Sequence, residues 1–220
     1  MLTANTRVEQ SGPKRRMKDK ARWAGSSRAR RWANQVPMET REAVPDDLES
    51  YAALGRAAQA WLQSRGLRQY VPAAHEEYAG AIRSRIESGT LFAVQSGGET
   101  LAFFVLEPTP AAWWPPDEVS ALYLGGIVVA QSARGLGVGG FIIRWSAEEA
   151  ARQGCSAVRL DCHAENLWLC SYYESHEFVN VGRVEQNPGY DGCLYQLTVT
   201  PGAIRDGSSD FKFEVQHLAR

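Results

Sequence analysis

The chain has 220 residues, of which 44% are hydrophobic, 22% charged and 10% aromatic, and its formal net charge is −1. These proportions are typical of one globular α/β-sized domain with terminal extensions, and they exclude a wholly disordered, collagenous or disulfide-dense chain. The longest apolar stretch, residues 121–130, falls short of the roughly 18 residues that a transmembrane helix needs, so no membrane span is expected.

The first 37 residues differ in charge from the rest of the chain. They carry ten Arg or Lys and two acidic residues, whereas residues 38–220 carry 14 basic and 23 acidic ones. Basic residues interrupt every candidate apolar run of a secretory signal, so we expect a cytoplasmic protein. Because the segment lacks periodic apolar positions, we expect a disordered arm. It is either a solvated leader ahead of a second start at Met38 or an arm that binds nucleic acid by counterion release.

The folded domain is expected to span residues 38–200, with a peripheral tail at residues 201–220. Apolar residues at helical spacing predict four helices, and β-rich runs predict the strands. In chain order the predicted elements are a strand at 40–44, helices at about 46–65 and 73–87, a hairpin of strands 90–95 and 101–106, a strand at 121–129, a helix at about 137–153, a strand at 157–162, a helix at 166–175, and strands at 178–184 and 194–199.

A proline-rich loop, residues 108–116, lies just before the strand at 121–129 and contains two adjacent tryptophans, Trp113 and Trp114. Tryptophan joins a large apolar surface to one N–H donor. The pair is therefore expected either to line a substrate pocket or to cap the hydrophobic core.

A glycine-rich segment, residues 128–140, follows this strand and begins the next helix. Its sequence is VVAQSARGLGVGG. Backbone N–H groups at a helix N-terminus attract an anion, and glycines let a phosphate approach without a Cβ in the way. We therefore expect this segment to bind a pyrophosphate. The alternative is that its glycines only shape a tight turn between strand and helix.

The same glycines allow a second interpretation, a dinucleotide-binding Rossmann domain. Gly135, Gly137 and Gly140 satisfy G-x-G-x-x-G, and Asp161 lies 21 residues further on, at the end of the next strand. In a Rossmann domain an acidic residue at such a position binds a ribose. Only about 60 residues follow Asp161, which is too few for the remaining βα units. A nucleotide-cofactor oxidoreductase is therefore the alternative function.

The segment from Arg134 to Gly139 resembles the R-G-x-G-x-G acyl-CoA loop of the GNAT superfamily of N-acetyltransferases. Asn166 and Tyr173, seven residues apart, resemble the second motif of that family, and Phe178 follows as in its Y-x-x-x-G-F ending. The resemblance covers roughly 160 residues. It implies an α/β fold with a mixed, mostly antiparallel central sheet flanked by helices.

The chain departs from the family pattern at two positions. Glu177 stands where the family usually has Gly before Phe178, and Ser132 stands where Gln or Arg is common. Neither change removes a backbone N–H group, so we expect both to leave the phosphate-binding donors in place.

The resemblance also implies roles for individual residues. The main chain of residues 127–129 would pair with the pantetheine arm of acetyl-CoA, and the glycine-rich loop would bind its pyrophosphate. Asn166 would orient the cofactor or the loop, and Tyr173 would protonate the departing CoA thiolate. The cofactor-binding residues implied in this way are Ile127, Val128, Val129, Arg134, Gly135, Leu136, Gly137, Val138, Gly139, Gly140 and Asn166.

Two side chains are candidates for the general base. Asp161 occupies the position where some family members that acetylate protein N-termini use a carboxylate, and His163 lies two residues further on. The alternatives are that Asp161 caps the following turn and that His163 is a hydrogen-bonded surface residue at the end of a strand. Tyr172, adjacent to Tyr173 on the predicted helix, is expected to point about 100° away from it and to stay clear of the thiolate. Core packing is the alternative role for Tyr173.

The four cysteines, Cys155, Cys162, Cys170 and Cys193, lack Cys-x-x-Cys spacing. We therefore expect reduced, packed thiols and no bound metal. A metal cluster of Cys162, His163 and Cys170 is the alternative.

These patterns together predict an acyl-CoA-dependent N-acetyltransferase. It would transfer the acetyl group of acetyl-CoA to a primary amine by direct attack in a ternary complex. The acceptor is a small-molecule amine or a peptide or protein amine, and the negative charge of residues 38–220 favours a cationic one through electrostatic steering. A non-catalytic acyl-CoA-sensing module with a nucleic-acid-binding arm is a further alternative, and the resemblance is compatible with a homodimer.

Overall fold

The computed structural model describes residues 37–66, 75–187 and 190–202, and it describes only the backbone of residues 75–78, 186, 187 and 190. Apart from residue 37, the arm predicted for residues 1–37 lies outside the described residues. So does the predicted tail, apart from residues 201 and 202.

A seven-stranded sheet forms the centre of the described domain, in the order β1-β2-β3-β4-β5-β7-β6. Neighbouring strands pair antiparallel except β4 and β5, which pair parallel. The predicted mixed, mostly antiparallel sheet is therefore confirmed, and the doubly wound parallel sheet of the Rossmann alternative is wrong. The strands are β1 (Glu39–Glu42), β2 (Leu91–Ser96), β3 (Glu99–Glu107), β4 (Ala121–Val129), β5 (Ala157–His163), β6 (Val179–Asn187) and β7 (Tyr190–Thr198).

Helices cover the sheet, and each was predicted from its apolar spacing to within a few residues. They are α1 (Leu48–Ser64), α2 (His75–Glu87), α3 (Val138–Arg152) and α4 (Leu167–Glu174). None of the described helices is long and apolar enough to cross a membrane. The strand boundary that differs most from its prediction is the start of β7, which lies at Tyr190 rather than at residue 194. Asp191 and Gly192 have low β propensity, but pairing with both β5 and β6 holds them in the sheet.

The core lies in two layers, one on each face of the sheet. Successive side chains of a strand point to opposite faces, and β3 shows this at adjacent residues. Phe104 packs edge-on against Trp145 of α3, whereas Phe103 packs edge-on against Tyr51 of α1. All of these rings are buried except Trp145, which is half-buried. The helices α3 and α4 thus cover one face and α1 the other.

The sheet opens between β4 and β5. Their parallel ladder contains three pairs and ends at Tyr123 and Arg159, although both strands continue beyond it. On the other side of β4, the register with β3 shifts between Phe103 and Val105. Gly126 has a φ of 56° there, a backbone conformation that glycine adopts without steric cost. The diverging strands leave a cleft at this end of the sheet.

Candidate active site

The cleft between β4 and β5 has a volume of about 220 Å³ and is lined by both strands, by α3 and by α4. Five residues that the sequence singled out line it together: Ile127, Val129, Gly139, Asp161 and Tyr173. They come from four elements and are separated by up to 46 residues in the chain. Residues of the predicted cofactor-binding segment, the predicted base Asp161 and the predicted acid Tyr173 therefore line the same cleft, which the divergence of two neighbouring strands creates.

The glycine-rich loop leaves open space at the start of α3. Gly135 and Gly137 have φ values of 79° and 82°, and a Cβ at either position would contact no atom within 4 Å. Gly137 is the N-cap residue of α3, so the first N–H groups of this helix have no partner within it. The space beside the N-terminus of this 15-residue helix is therefore not filled by side chains. A phosphate group can be accommodated there, within reach of the N–H groups.

Other predicted loop residues pack inward. Val128 and Val138 are buried, and Leu136 packs against the main core cluster. A Cβ at Gly140 would lie 3.1 Å from Cε1 of His176, so this glycine allows α4 and α3 to approach closely. These side chains fix the position of the loop, and its main chain is the part that is open to a ligand.

Asn166 and Tyr173 are both buried, at 7% exposure each. Asn166 is the N-cap residue of α4, and its Oδ1 accepts a hydrogen bond from the backbone N–H of Leu169 at 3.2 Å. The Tyr173 ring packs edge-on against Phe178 and lies 6.1 Å from the Tyr195 ring. Asn166 therefore fixes the start of the helix that carries Tyr173, and the aromatic neighbours fix its ring.

Glu177, where the family pattern has Gly, is left-handed with a φ of 67°. Positive φ is uncommon for residues other than glycine, which explains why a glycine suits this position. The backbone N–H of Phe178 donates to the carbonyl of Tyr173 at 3.2 Å, in the turn just beyond α4. Glu177 thus has, in this turn, a backbone conformation that glycine adopts without steric cost.

Tyr172 also lines the cleft, beside Tyr173. The two tyrosines therefore face the same cleft, and the expectation that the Tyr172 hydroxyl stays clear of the thiolate stays a prediction. Its ring stacks on Trp168 at 5.6 Å and lies edge-on to the His176 ring at 4.7 Å. Burial raises the pKa of the Tyr172 phenol, so the group stays protonated and able to donate a hydrogen bond at neutral pH. The i, i+4 spacing of these three aromatic residues was the sequence signal for this face of α4.

Asp161 projects toward the loop that contains the two tryptophans. The indole N–H of Trp113 donates to Oδ1 of Asp161 at 3.1 Å. The neighbouring Trp114 is buried against Tyr123 and lies under the guanidinium of Arg159. The expectation of a cap on the core therefore holds for Trp114, whereas Trp113 contacts the cleft residue Asp161 but does not itself line the cleft.

Arg159 of β5 binds this loop to the sheet through hydrogen bonds. No sequence pattern pointed to this role. Its guanidinium makes two hydrogen bonds to Asp117, at 2.9 and 2.6 Å, and one to Gln196 at 2.8 Å. Its side chain is only 4% exposed. The guanidinium holds the pKa of Asp117 below its ordinary value, mainly through the hydrogen bonds. The tryptophan loop is thus fixed beside Asp161.

His163 and the cysteines lie apart from the cleft lining. The expectation that His163 is a surface residue is wrong, because it is buried at the end of β5, where its Nδ1 accepts a hydrogen bond from the backbone N–H of Glu165 at 3.1 Å. The sulfur atoms of Cys162 and Cys170 are 3.7 Å apart, and burial raises the pKa of the Cys162 thiol. All four cysteines are free thiols. Within residues 37–66, 75–187 and 190–202, no three His, Cys, Asp or Glu side chains are grouped so as to hold a metal.

Comparison with known proteins relates the chain to one family. Residues 53–178 match the model of the acetyltransferase (GNAT) family. The chain is 28% identical over 144 residues to YesJ, an uncharacterised N-acetyltransferase of Bacillus subtilis, and the match covers 62% of this chain and 80% of YesJ.

Two solved structures illustrate the likeness in fold. A GNAT-family acetyltransferase from Listeria monocytogenes superposes with a TM-score of 0.60 at 21% identity, over 74% of this chain and 95% of that one. YncA of Salmonella typhimurium, solved with its cofactor acetyl-CoA, superposes with a TM-score of 0.53 at 15% identity, over 78% and 99% of the two chains.

Proposed function

The chain belongs to the acetyltransferase (GNAT) family, and we propose that it transfers the acetyl group of acetyl-CoA to a primary amine by direct attack within a ternary complex. The observation that carries the proposal is that Asp161, Tyr173 and Gly139, in the first turn of α3, line one cleft, and that the loop just before Gly139 is open at Gly135 and Gly137. A carboxylate, a phenol and an anion site are the groups that transfer from a thioester to an amine requires.

Binding of acetyl-CoA is assigned to the loop and to the free side of β4. The main chain of residues 127–129 lies beyond the last β4–β5 pair and can hydrogen-bond the amide groups of the pantetheine arm. The loop from Arg134 to Gly140, with Gly135 and Gly137 open to solvent, would take the pyrophosphate. Asn166 would act on the site through the start of α4, which it caps. Bound acetyl-CoA supplies an activated acyl group.

Asp161 is proposed to accept a proton from the acceptor amine. An amine is protonated at neutral pH and attacks only after it has lost that proton, so a base within hydrogen-bond reach speeds the reaction. One carboxylate oxygen accepts the Trp113 indole N–H, which fixes the orientation of the group. The carboxylate lines the cleft and can reach an amine bound there.

Tyr173 is proposed to donate a proton to the departing thiolate. A phenol has an ordinary pKa of about 10 and a thiol one of about 8.5, so the proton passes between groups of similar acidity. The Tyr173 ring is held by Phe178 and Tyr195, which leaves little freedom for its hydroxyl to move. A group fixed in this way needs little reorganisation during the reaction.

The acceptor is proposed to be a cationic amine, either a small molecule or a peptide or protein amine. Residues 38–220 carry nine more acidic than basic side chains, and a negative surface raises the encounter rate of a positively charged substrate.

The proposal is tested with the purified full-length protein, acetyl-CoA and a panel of amines, by following the release of CoA thiol and the mass of the acetylated product. Acetylated amine together with intersecting initial-velocity lines would support direct attack in a ternary complex. Parallel lines would contradict it. Binding of acetyl-CoA without turnover on any amine would favour the sensing alternative, and tight binding of NAD without binding of acetyl-CoA would favour the oxidoreductase.

A further inference from the structure

Two guanidinium groups lie over one indole ring beside the glycine-rich loop. The Cζ atoms of Arg65 and Arg134 lie 4.8 and 4.6 Å from the centroid of the Trp61 ring. Trp61 and Arg65 belong to the last turn and the C-cap of α1, whereas Arg134 directly precedes the first glycine of the loop. The indole thus brings together two cations from distant parts of the chain.

This pair of cations is not neutralised by acidic side chains in the described part of the chain. There, neither Arg65 nor Arg134 has a carboxylate within 4 Å, whereas Arg56, on the same helix, pairs with Glu49 at 2.8 Å. Two like charges held within about 10 Å of each other repel, so this part of the surface is electropositive. Such a pair is stabilised when an anion binds between or beside the two groups.

We propose that Arg65 and Arg134 bind the 3′-phosphate on the ribose of CoA, and that Trp61 positions both guanidinium groups for it. The inference rests on the proposed use of acetyl-CoA. CoA carries a phosphate monoester on its ribose in addition to the pyrophosphate, and the N–H donors at the start of α3 account only for the pyrophosphate. Guanidinium groups suit a phosphate monoester because they bind two oxygens at once.

The position of the three residues supports this assignment. Arg134 is joined directly to the loop that would hold the pyrophosphate, so its guanidinium lies near any group attached to the adjoining ribose. Trp61 is 37% exposed, which leaves the stack open to a ligand from solvent. Arg65 is exposed, so its loss is not expected to disturb the core.

The test compares CoA with 3′-dephospho-CoA by isothermal titration calorimetry, in the wild type and in Arg65→Gln. Hydrogen bonds between charged groups account for about a tenfold or larger change in affinity. We expect the wild type to bind CoA about tenfold more tightly than 3′-dephospho-CoA, and Arg65→Gln to lose most of that ratio while its affinity for 3′-dephospho-CoA stays unchanged. Trp61→Leu should reduce the ratio as well, since the guanidinium groups lose their support.

Arg56→Gln is the matched control, because it removes a cation from the same helix but leaves the Trp61 stack intact, and it should keep the wild-type ratio. Equal affinity of the wild type for the two forms of CoA would overturn the inference. The inference would also be overturned if Arg65→Gln lowered the affinity for CoA and for 3′-dephospho-CoA equally. The stack of Arg65, Trp61 and Arg134 would then only stabilise the position of the loop. Failure of the wild type to bind either form would instead overturn the proposed function.

Discussion

The hydroxyl group of Tyr172 lies directly against Gly139. A Cβ at Gly139 would stand 2.5 Å from the Tyr172 hydroxyl oxygen and 3.3 Å from Cζ, so no residue with a side chain fits there unless Tyr172 moves. Tyr172 is held by Trp168 on one side and His176 on the other. The contact therefore fixes α4 against the first turn of α3, at the point where the phosphate would bind.

Gly139→Ala should lower the free energy of unfolding by about 1–3 kcal/mol, the usual cost of forcing an atom into a packed site. Urea unfolding measures this. The control is Gly80→Ala, because Gly80 also lies in a helix but a Cβ there would meet nothing within 4 Å. That change should stabilise the protein by about 0.5–1 kcal/mol, since alanine is the better helix former.

The two changes at this contact should be coupled. Tyr172→Phe removes the oxygen that lies 2.5 Å from the new Cβ, so Gly139→Ala should cost less in the Phe background than alone, with a coupling free energy of about 0.5–3 kcal/mol. Additive costs in a double-mutant cycle would show that the strain arises elsewhere.

Gly137→Val should weaken the binding of acetyl-CoA at least tenfold. A branched side chain would fill the open space in front of the N–H groups of α3, and valine in a left-handed conformation adds about 1–2 kcal/mol of strain. Gly154→Val controls for the strain, because Gly154 has a φ of 77°, is equally open and follows the other end of the helix. Both variants should lose similar stability in thermal unfolding. If calorimetry finds that both lose affinity alike, or that neither does, the loop is not the phosphate site.

Asp47 should make the stability of the fold depend on pH. Arg41 donates two hydrogen bonds to this carboxylate, at 2.6 and 2.9 Å, and mainly through them holds its pKa below the ordinary value. A carboxyl group whose pKa is lower in the folded than in the unfolded state stabilises the fold above about pH 4, and this contribution disappears as the pH falls through the folded-state pKa.

Asp47→Asn should therefore lower the free energy of unfolding by about 1–2 kcal/mol at pH 7 and by less at pH 3, which lies below the unfolded-state pKa. Urea titrations at the two pH values measure the difference. The neighbouring Asp46 is exposed, and Asp46→Asn should cost little at either pH. A loss for Asp47→Asn that is the same at pH 3 and pH 7 would contradict the assigned role of the ion pair.

Asp161→Asn should lower kcat on the order of 10² to 10⁴, the usual contribution of a positioned base, and leave the affinity for acetyl-CoA close to wild type. His163→Gln tests the other candidate. His163 does not line the cleft. The kcat of His163→Gln, calculated per folded molecule, should therefore stay close to that of the wild type. If His163→Gln loses turnover and Asp161→Asn keeps it, the assignment of the base is reversed.

Local patterns were sufficient to predict much of this structure. Apolar spacing located the four helices, and the glycines of residues 135–140 located the loop, because both depend on neighbours in the chain. The spacing of Asn166, Tyr173 and Phe178 resembled the second motif of the family, and the structure shows that Asn166 caps the helix that carries the buried Tyr173 ring. The departure from the family pattern at Glu177 coincides with a left-handed backbone conformation, three residues beyond the end of α4.

Contacts between distant residues were not predictable in this way. Arg159 and Asp117 are 42 residues apart, and Trp61 and Arg134 are 73 apart in the sequence, so no periodicity links them. The place of Tyr172 in the cleft lining was not predicted either, because an angle of about 100° between adjacent helical residues does not exclude that both line one cleft. The cleft is wide enough to receive two neighbouring side chains of one helix, and that width is set by the divergence of β4 and β5.

Tyr173→Phe tests the proposed acid most directly, because it removes one hydroxyl group and keeps the ring that packs against Phe178 and Tyr195. Stability in thermal unfolding and affinity for acetyl-CoA should therefore stay close to wild type. When turnover is measured with an acceptor amine, kcat should fall by a factor on the order of 10² to 10⁴.

Tyr172→Phe is the comparison variant for this experiment. Tyr172 lines the same cleft, but its hydroxyl lies at the first turn of α3, against Gly139, where it can donate a hydrogen bond to a phosphate. Its loss should raise the Kd for acetyl-CoA severalfold, as expected for one hydrogen bond to a charged group, and leave kcat at saturating acetyl-CoA within about threefold of wild type. The change at Tyr173 should thus lower kcat, whereas the change at the adjacent Tyr172 should weaken only the affinity for acetyl-CoA. If Tyr173→Phe keeps wild-type kcat, or if the large loss of kcat appears in Tyr172→Phe instead, the proton comes from a different group than the one that the Asn166 spacing indicated.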